Sequence, residues 1–280
     1  MRRLAFLLLL LGCERPAAPP AGRVFTDSRG KSVVVPARPG RIVTLVPSAT
    51  ELLYRVGAAE QIAGVTTACD WPPEAKAKPK VGGVTVDLER VLALKADLVV
   101  TCVRMTRRAS EDLEARGLPV YSIDPASFAG IAEALRRLGE ITGRAEAGAK
   151  AAEEFLTRAE AVKAREGPTV YFESSSEPMG TTGADSYTGE ALRRAGGRNV
   201  FEGGWRLTDW EGVLARDPEV MLIAHDRREG IARRAGWSGL KAVKTGRVHF
   251  VAPERYVYPT FRLLDGLEEA ARLFHEKNPR

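Results

Sequence analysis

The chain has 280 residues, 44% hydrophobic and 28% charged, which is enough for two lobes with separate cores and is ordinary for a globular body. Its formal charge of +6 mixes both signs. The Arg pairs at 107–108, 136–137, 193–194 and 233–234 sit beside Glu in helix-like segments, not in a stripe with aromatics between. That arrangement describes solvated helix faces and excludes a nucleic-acid partner.

The first element is an export signal. Met1-Arg2-Arg3 is a basic start, Leu4 to Leu11 is an apolar run too short to span a bilayer, and Leu10-Leu11-Gly12-Cys13 closes it. A loose Pro/Ala/Gly stretch follows to Gly22. The Leu-x-Gly-Cys ending resembles a bacterial lipobox, in which cleavage exposes Cys13 for lipidation. The alternative is an ordinary signal peptide cut nearby. Acylation would hold the protein on a membrane surface while its body stays in water.

Arg23 to Pro36 alternates like a hairpin, with Asp27-Ser28-Arg29-Gly30 as its turn. Gly30-Lys31-Ser32 has the ending of a phosphate loop, but Phe25 stands where that loop needs a Gly. A βαβ rhythm then begins. Strands are expected at 41–46, 61–65, 97–101 and 119–123, with helices over 49–56, 87–95 and 106–116. Ser48 with Glu51 has the spacing of a capping box, and Asp87 is placed to cap the second helix. Residues 127–165 are helical in pattern, broken or kinked at Gly143. The alternation resumes with strands at 169–172, 220–224 and 247–251 and helices at 186–195, 208–216, 237–243 and 262–275. The expected organisation is a signal and tether over 1–22, an N-terminal α/β lobe over 23–126, a connecting helix over 127–166 and a C-terminal α/β lobe over 167–280. The fold class is α/β: two Rossmann-like lobes with mainly parallel central sheets, joined by one long helix.

Catalytic signals are poor. No Gly-x-Ser-x-Gly, His-Glu-x-x-His or Cys-x-x-Cys occurs, and no nucleophile is paired with a base, so catalysis is not expected. The three His residues are far apart in sequence, too sparse for a metal site. Cys69 and Cys102 both follow strand-like runs; they either form a disulfide or stay separate thiols. Ligands of open α/β sheets bind beyond the carboxyl ends of strands. That places Pro47, Ser48, Asp70, Trp71, Arg104, Glu173, Ser175 and His225 on loops lining a cleft between facing lobes. Trp71, between Asp70 and two prolines, suits stacking on a large flat ligand, or else simple loop packing.

The run Arg41-Ile42-Val43-Thr44-Leu45-Val46-Pro47-Ser48-Ala49-Thr50-Glu51-Leu52-Leu53 resembles the opening strand and helix of periplasmic binding proteins for cobalamin, siderophores and haem. The resemblance continues through Cys69-Asp70-Trp71-Pro72-Pro73-Glu74-Ala75, Val86 to Val100, Gly196-Gly197-Arg198-Asn199-Val200-Phe201 and Glu211-Gly212-Val213-Leu214. It covers nearly the whole chain after the tether. The acidic-aromatic-Pro-Pro segment and Arg262-Leu263-Leu264-Asp265-Gly266-Leu267 look most like the cobalamin branch.

The resemblance implies two lobes clasping a ligand, with little hinge closure, and delivery to a permease dimer served by ATPase subunits of an ABC importer. It implies a monomer in the cell envelope, on the periplasmic side or outer face of the cytoplasmic membrane. A corrinoid would be a transported ligand rather than a cofactor. Trp71 and Trp205 would supply apolar faces. Pro47, Ser48, Gly82 and Gly83 would allow close backbone approach, and Asp70, Arg104, Glu173 and Arg255 would meet ring amides. Glu89 and Glu211 match the positions that engage arginine pockets on the two permease subunits. Cys102 and Ser175 stand where the best-known members carry Trp and Phe, and the loop 81–84 lacks an aromatic found there, so the pocket is less aromatic. The runner-up ligands are a ferric siderophore, held by Arg104 and Arg255, and haem, with His225, Tyr256 or Tyr258 as axial ligand. From other classes, an extracytoplasmic enzyme would use Asp70, His225 and Glu173, and a surface adaptor would bind a protein.

Overall fold

The computed structural model describes residues 22–83, 85–103, 105–163, 165–228 and 230–276. Cys13 and Arg104 therefore lie outside the described residues. The chain opens with the expected hairpin, β1 (Gly22–Thr26) against β2 (Ser32–Pro36). Asp27 holds its turn, accepting from the amides of Arg29 at 2.8 Å and Lys31 at 3.1 Å, the short-range bonding that makes Asp a turn residue.

Four short apolar strands build the first sheet: β3 (Ile42–Thr44), β4 (Ile62–Gly64), β5 (Leu98–Cys102) and β6 (Val120–Ile123). They lie in the order β4-β3-β5-β6, all parallel. Such strands are apolar on both faces because helices cover both. Three helices alternate with them: α1 (Pro47–Arg55), α2 (Leu88–Ala93) and α3 (Arg107–Glu114). Ile42, Leu98 and Val100 pack toward α1, while Val43 and Val99 pack toward Val91 of α2 and Leu113 of α3.

The connecting segment is a helical hairpin rather than one long helix. It consists of α4 (Phe128–Ile141) and α5 (Ala145–Ala161). Gly143 sits between them at φ +74, a conformation that glycine adopts without steric cost and that ends a helix. The two helices touch backbone to backbone: a Cβ on Gly139 would stand 2.8 Å from the Cα of Gly148.

The second sheet is mixed. Its strands are β7 (Thr169–Ser176), β8 (Met179–Thr182), β9 (Arg198–Asn199), β10 (Trp205–Leu207), β11 (Val220–Ile223) and β12 (Val248–Phe250). The order is β10-β8-β7-β11-β12, with β9 also on β7. The β7, β9, β11 and β12 pairings are parallel, whereas β8 and β10 form an antiparallel edge. Helices α6 (Tyr187–Arg194) and α9 (Arg262–His275) cover the face of Phe172 and Leu222. Helices α7 (Trp210–Arg216) and α8 (Lys241–Lys244) cover the face of Tyr171, Met221 and Ile223.

One buried cluster runs through the whole molecule, from Phe25 past Phe128 and Phe155 to Leu263 and Phe274. Phe155 bridges Phe128 at 5.3 Å and Phe261 at 5.4 Å between ring centres. Arg158 of α5 also grips α9 through Asp265 at 2.6 Å and Glu268 at 2.8 Å. The helical hairpin is thus packed into both sheets' cores rather than strung between them, which opposes large hinge motion.

Candidate ligand-binding cleft

A cavity of about 520 Å³ opens between the loop after β4 and the approach to α9, lined by Ala68, Asp70, Trp71, Lys76, Pro253, Glu254, Val257, Tyr258 and Arg262. That volume is in the range of small-molecule sites. Trp71 is 47% exposed, unusual for so large an apolar ring unless something covers it. The Arg262 guanidinium lies 5.8 Å from the Trp71 ring centre and 5.2 Å from that of Tyr258, close enough for cation–π attraction. Burial pushes the Tyr258 hydroxyl up from its ordinary pKa, with Arg262 pulling the other way.

Beneath the cavity, Arg262 reaches across to Glu51 of α1. Its Nε donates to Oε2 at 3.1 Å and its Nη2 donates to Oε1. This two-pronged contact links residues 211 apart in sequence. Burial raises the Glu51 pKa, and the bonds from Arg262 oppose that shift. The expected Ser48–Glu51 capping box does not form. Pro47 occupies the first turn, Val46 is the cap residue, and no side chain caps α1. Starting the helix at Pro47 places Ser48 inside it and leaves Glu51 for Arg262.

Other residues named from the sequence fall into separate groups. Pro47 and Ser48 are buried at the start of α1. Gly82 and Gly83 adjoin the cleft loop, since Thr67 N donates to Gly82 O at 2.8 Å. The need for glycine at position 82 is internal: φ is +108, and a Cβ would stand 2.8 Å from Asp87 N. Trp205 is 58% exposed in β10 and does not line the Trp71 cavity. Ser175 is its neighbour, because a Cβ on Gly180 would stand 2.5 Å from Ser175 Oγ and 3.4 Å from Trp205 Nε1.

Three expected contact residues are corrected. Glu173 is fully buried within the second lobe, and its carboxylate is already satisfied. Arg234 donates to both oxygens at 2.7 Å, Tyr171 Oη donates at 3.1 Å, and His225 Nε2 lies at 2.8 Å. The sequence reading ended that strand at Phe172, whereas β7 continues to Ser176. Glu173 is therefore mid-strand, facing the α7 side. Tyr256 is also fully buried, its ring tilted 42° to that of Phe172 at 5.6 Å between centres and its hydroxyl donating to Glu269 at 3.2 Å. Arg255 pairs with Glu269 and lines a different groove, of about 500 Å³, beside α9. Of the three haem-ligand candidates His225, Tyr256 and Tyr258, Tyr258 is the one that lines this cavity. The acid–base set of Asp70, His225 and Glu173 is not brought together there, since Asp70 lines the cavity and Glu173 does not.

Glu89 and Glu211 are exposed, each in the first turn of its helix, α2 and α7. The two turns are built alike: Asp87 accepts from Arg90 N at 3.1 Å, and Asp209 accepts from Gly212 N at 2.7 Å. No disulfide joins Cys69 and Cys102. Cys69 Sγ lies 3.1 Å from Thr66 Oγ1, and Cys102 Sγ faces Asp124 Oδ1 at 3.8 Å. Among the described residues no cluster of His, Cys, Asp and Glu is arranged to hold a metal, and no helix is long and apolar enough to cross a membrane. Sequence reasoning missed Arg262 and Glu51 as a pair, and Lys76 and Glu254 on the rim. The sequence signals for Arg262 were its place at the start of the periodic run of α9 and its part in the segment 262–267 that carries the resemblance.

A family model described as periplasmic binding protein matches residues 42–255. The chain belongs to that family. It is similar to an ABC transporter substrate-binding lipoprotein, YvrC, of Bacillus subtilis, 30% identical over 94% of this chain and 92% of the relative. It is also similar to a vitamin B12-binding protein of Vibrio campbellii, 28% identical over 84% of this chain and 89% of the relative. The solved periplasmic vitamin B12-binding protein of Vibrio cholerae superposes with a TM-score of 0.74 at 25% identity, covering 84% of this chain and 96% of that one. Solved haem-binding and ferric-hydroxamate-transport proteins share the fold equally well, with TM-scores of 0.74 and 0.77. The periplasmic binding protein described here is therefore a substrate-binding protein of the ABC importer family, of the kind that delivers a small molecule to a permease.

Proposed function

We propose that this binding protein is a lipid-anchored receptor that captures a corrinoid in the Trp71 cleft. The observation that carries this reading is the cleft's combination of an exposed aromatic face with a spent charge. Trp71 and Tyr258 offer flat apolar surface, while the Arg262 guanidinium is committed to Glu51. The rim adds Asp70, Lys76 and Glu254, groups that hydrogen-bond amides readily. An uncharged, amide-fringed macrocycle suits this lining better than a polyanionic chelate, which usually meets several unpaired arginines. Trp205, on the edge strand β10, is the second aromatic surface assigned to the ligand. A preformed cleft needs little ordering on binding, which favours tight capture.

The test is equilibrium titration of the purified protein with cyanocobalamin, cobinamide, haemin and a ferric hydroxamate. Submicromolar corrinoid binding is expected, weakened at least tenfold when Trp71 and Trp205 are both replaced by alanine. Unchanged affinity in that variant would overturn the pocket. If haemin alone binds, Tyr258 is the residue to replace, since it is the candidate axial ligand that lines the cavity. Docking is assigned to Glu89 and Glu211 and anchoring to Cys13. Alanine at both glutamates is expected to leave ligand affinity intact and abolish ligand-dependent uptake. Cys13→Ala is expected to release the protein from membranes.

A further inference from the structure

Arg262 is placed as an anion receptor would be. Its guanidinium lies beside two aromatic rings in the cavity, and its side chain is only 14% exposed. A half-dry guanidinium fork in such a position ordinarily grips a ligand carboxylate with two parallel bonds. Here the fork is already occupied from inside. Glu51, with a side chain 6% exposed, takes both Nε and Nη2. Asp70, on the rim of the same cavity, adds a second carboxylate whose field disfavours the Glu51 charge.

We infer that Glu51 is a specificity-determining residue: by holding the Arg262 guanidinium in an internal ion pair, it makes the cleft floor unreceptive to anionic ligands and reserves the site for uncharged ones. The inference rests on the reading of the Trp71 cavity as the ligand site. It differs from a purely structural role, in which the pair would only tie α1 to α9 and its loss would weaken every ligand alike.

The experiment compares haemin, with two free propionates, and haemin dimethyl ester, in which both are uncharged, on the full chain purified in detergent. In Glu51→Gln the amide no longer neutralises Arg262. Haemin is then expected to bind about tenfold tighter than to the unaltered protein, about 1.4 kcal/mol, while the ester changes less than twofold. Adding Arg262→Met to Glu51→Gln is expected to erase that gain. Equal changes for both probes, or a haemin gain that survives Arg262→Met, would overturn the inference. Should Glu51→Gln fail to fold, Arg262→Gln gives the converse reading. It uncovers Glu51 beside Asp70, and the haemin preference over the ester is expected to fall at least fivefold; an unchanged ratio would overturn it. Cyanocobalamin titrated on the unaltered protein separates the two conclusions. Absence of corrinoid binding sinks the corrinoid reading, while the charge selection is still read from the two haemin probes.

Discussion

Two carboxylate–arginine pairs of the same chemistry, Glu173–Arg234 and Glu51–Arg262, do different work. Glu173 and Arg234 lie inside one lobe, at the strand β7 and the segment that follows β11. Glu51 and Arg262 join the two lobes at the cleft. In the first, a fully buried carboxylate is saturated by Arg234, Tyr171 and His225. Burial disfavours the Arg234 charge, yet the bonds and field of Glu173 leave its pKa above the ordinary value. Burial likewise pushes the Tyr171 phenol up, with the Glu173 carboxylate adding to the effect. Arg234 also faces the Trp210 ring at 5.0 Å, and Trp210 stacks on Trp237 at 5.9 Å. This pair ties Arg234 to its sheet and does not line the Trp71 cavity. The second pair has the same chemistry at a cavity wall, where it sets a charge that a ligand meets. Chemical type alone does not assign a role; which surface the pair faces does.

The comparison is broken most directly at Glu173. Glu173→Gln leaves Arg234 buried without its anion, and removal of one partner from such a pair costs about 3–5 kcal/mol. The expected result is an unfolding free energy, measured in urea, lowered by that amount, with Glu173→Gln/Arg234→Met recovering part of the loss. The corresponding change at the cleft is smaller. Arg262 in Glu51→Gln keeps access to cavity water, so a loss of about 1–2 kcal/mol is expected. If the two losses were equal in urea unfolding, the distinction between an enclosed and a cleft-facing pair would not hold.

The sheet-and-helix rhythm was legible because strands buried on both faces are continuous apolar runs. The helix α9 was legible to the residue because its apolar spacing is unbroken from Leu263 to Phe274. The antiparallel edge was not. Met179-Gly180-Thr181-Thr182 is short and rich in small polar residues, and Trp205-Arg206-Leu207 is exposed throughout, so neither carries a burial pattern. The same gap moved Glu173 in the reading: a strand ended at Phe172 puts it at a cleft, whereas one that continues puts it in a core. Asp70 and Trp71, which line the cavity, were legible as an exposed aromatic loop because a Trp held between Asp70 and two prolines is poorly placed for a core. Glu51 with Arg262 was not, because the pair is made by tertiary packing of two helices from opposite lobes. Tyr256 and Tyr258 differ by two positions, yet one is core and the other lines the cavity; sequence offered no ground to choose between them.

The smallest effect expected is at His249 of β12, and its sign sharpens the comparison from outside both pairs. Burial lowers its pKa from the ordinary value, and Arg247 adds to the lowering. Its Nε2 is buried without a hydrogen-bond partner, so protonation in the folded state gains no acceptor there. With a depressed folded value, the unfolded chain takes up its proton first as pH falls. The stability this provides is fully present above about pH 6.5, the ordinary histidine value, and is lost as pH drops through the folded value. His249→Gln is expected to flatten the fall in the urea midpoint below about pH 6.5 without changing the midpoint at pH 8. A slope unchanged in His249→Gln would place the acid-sensitive group outside β12 and remove His249 as its source.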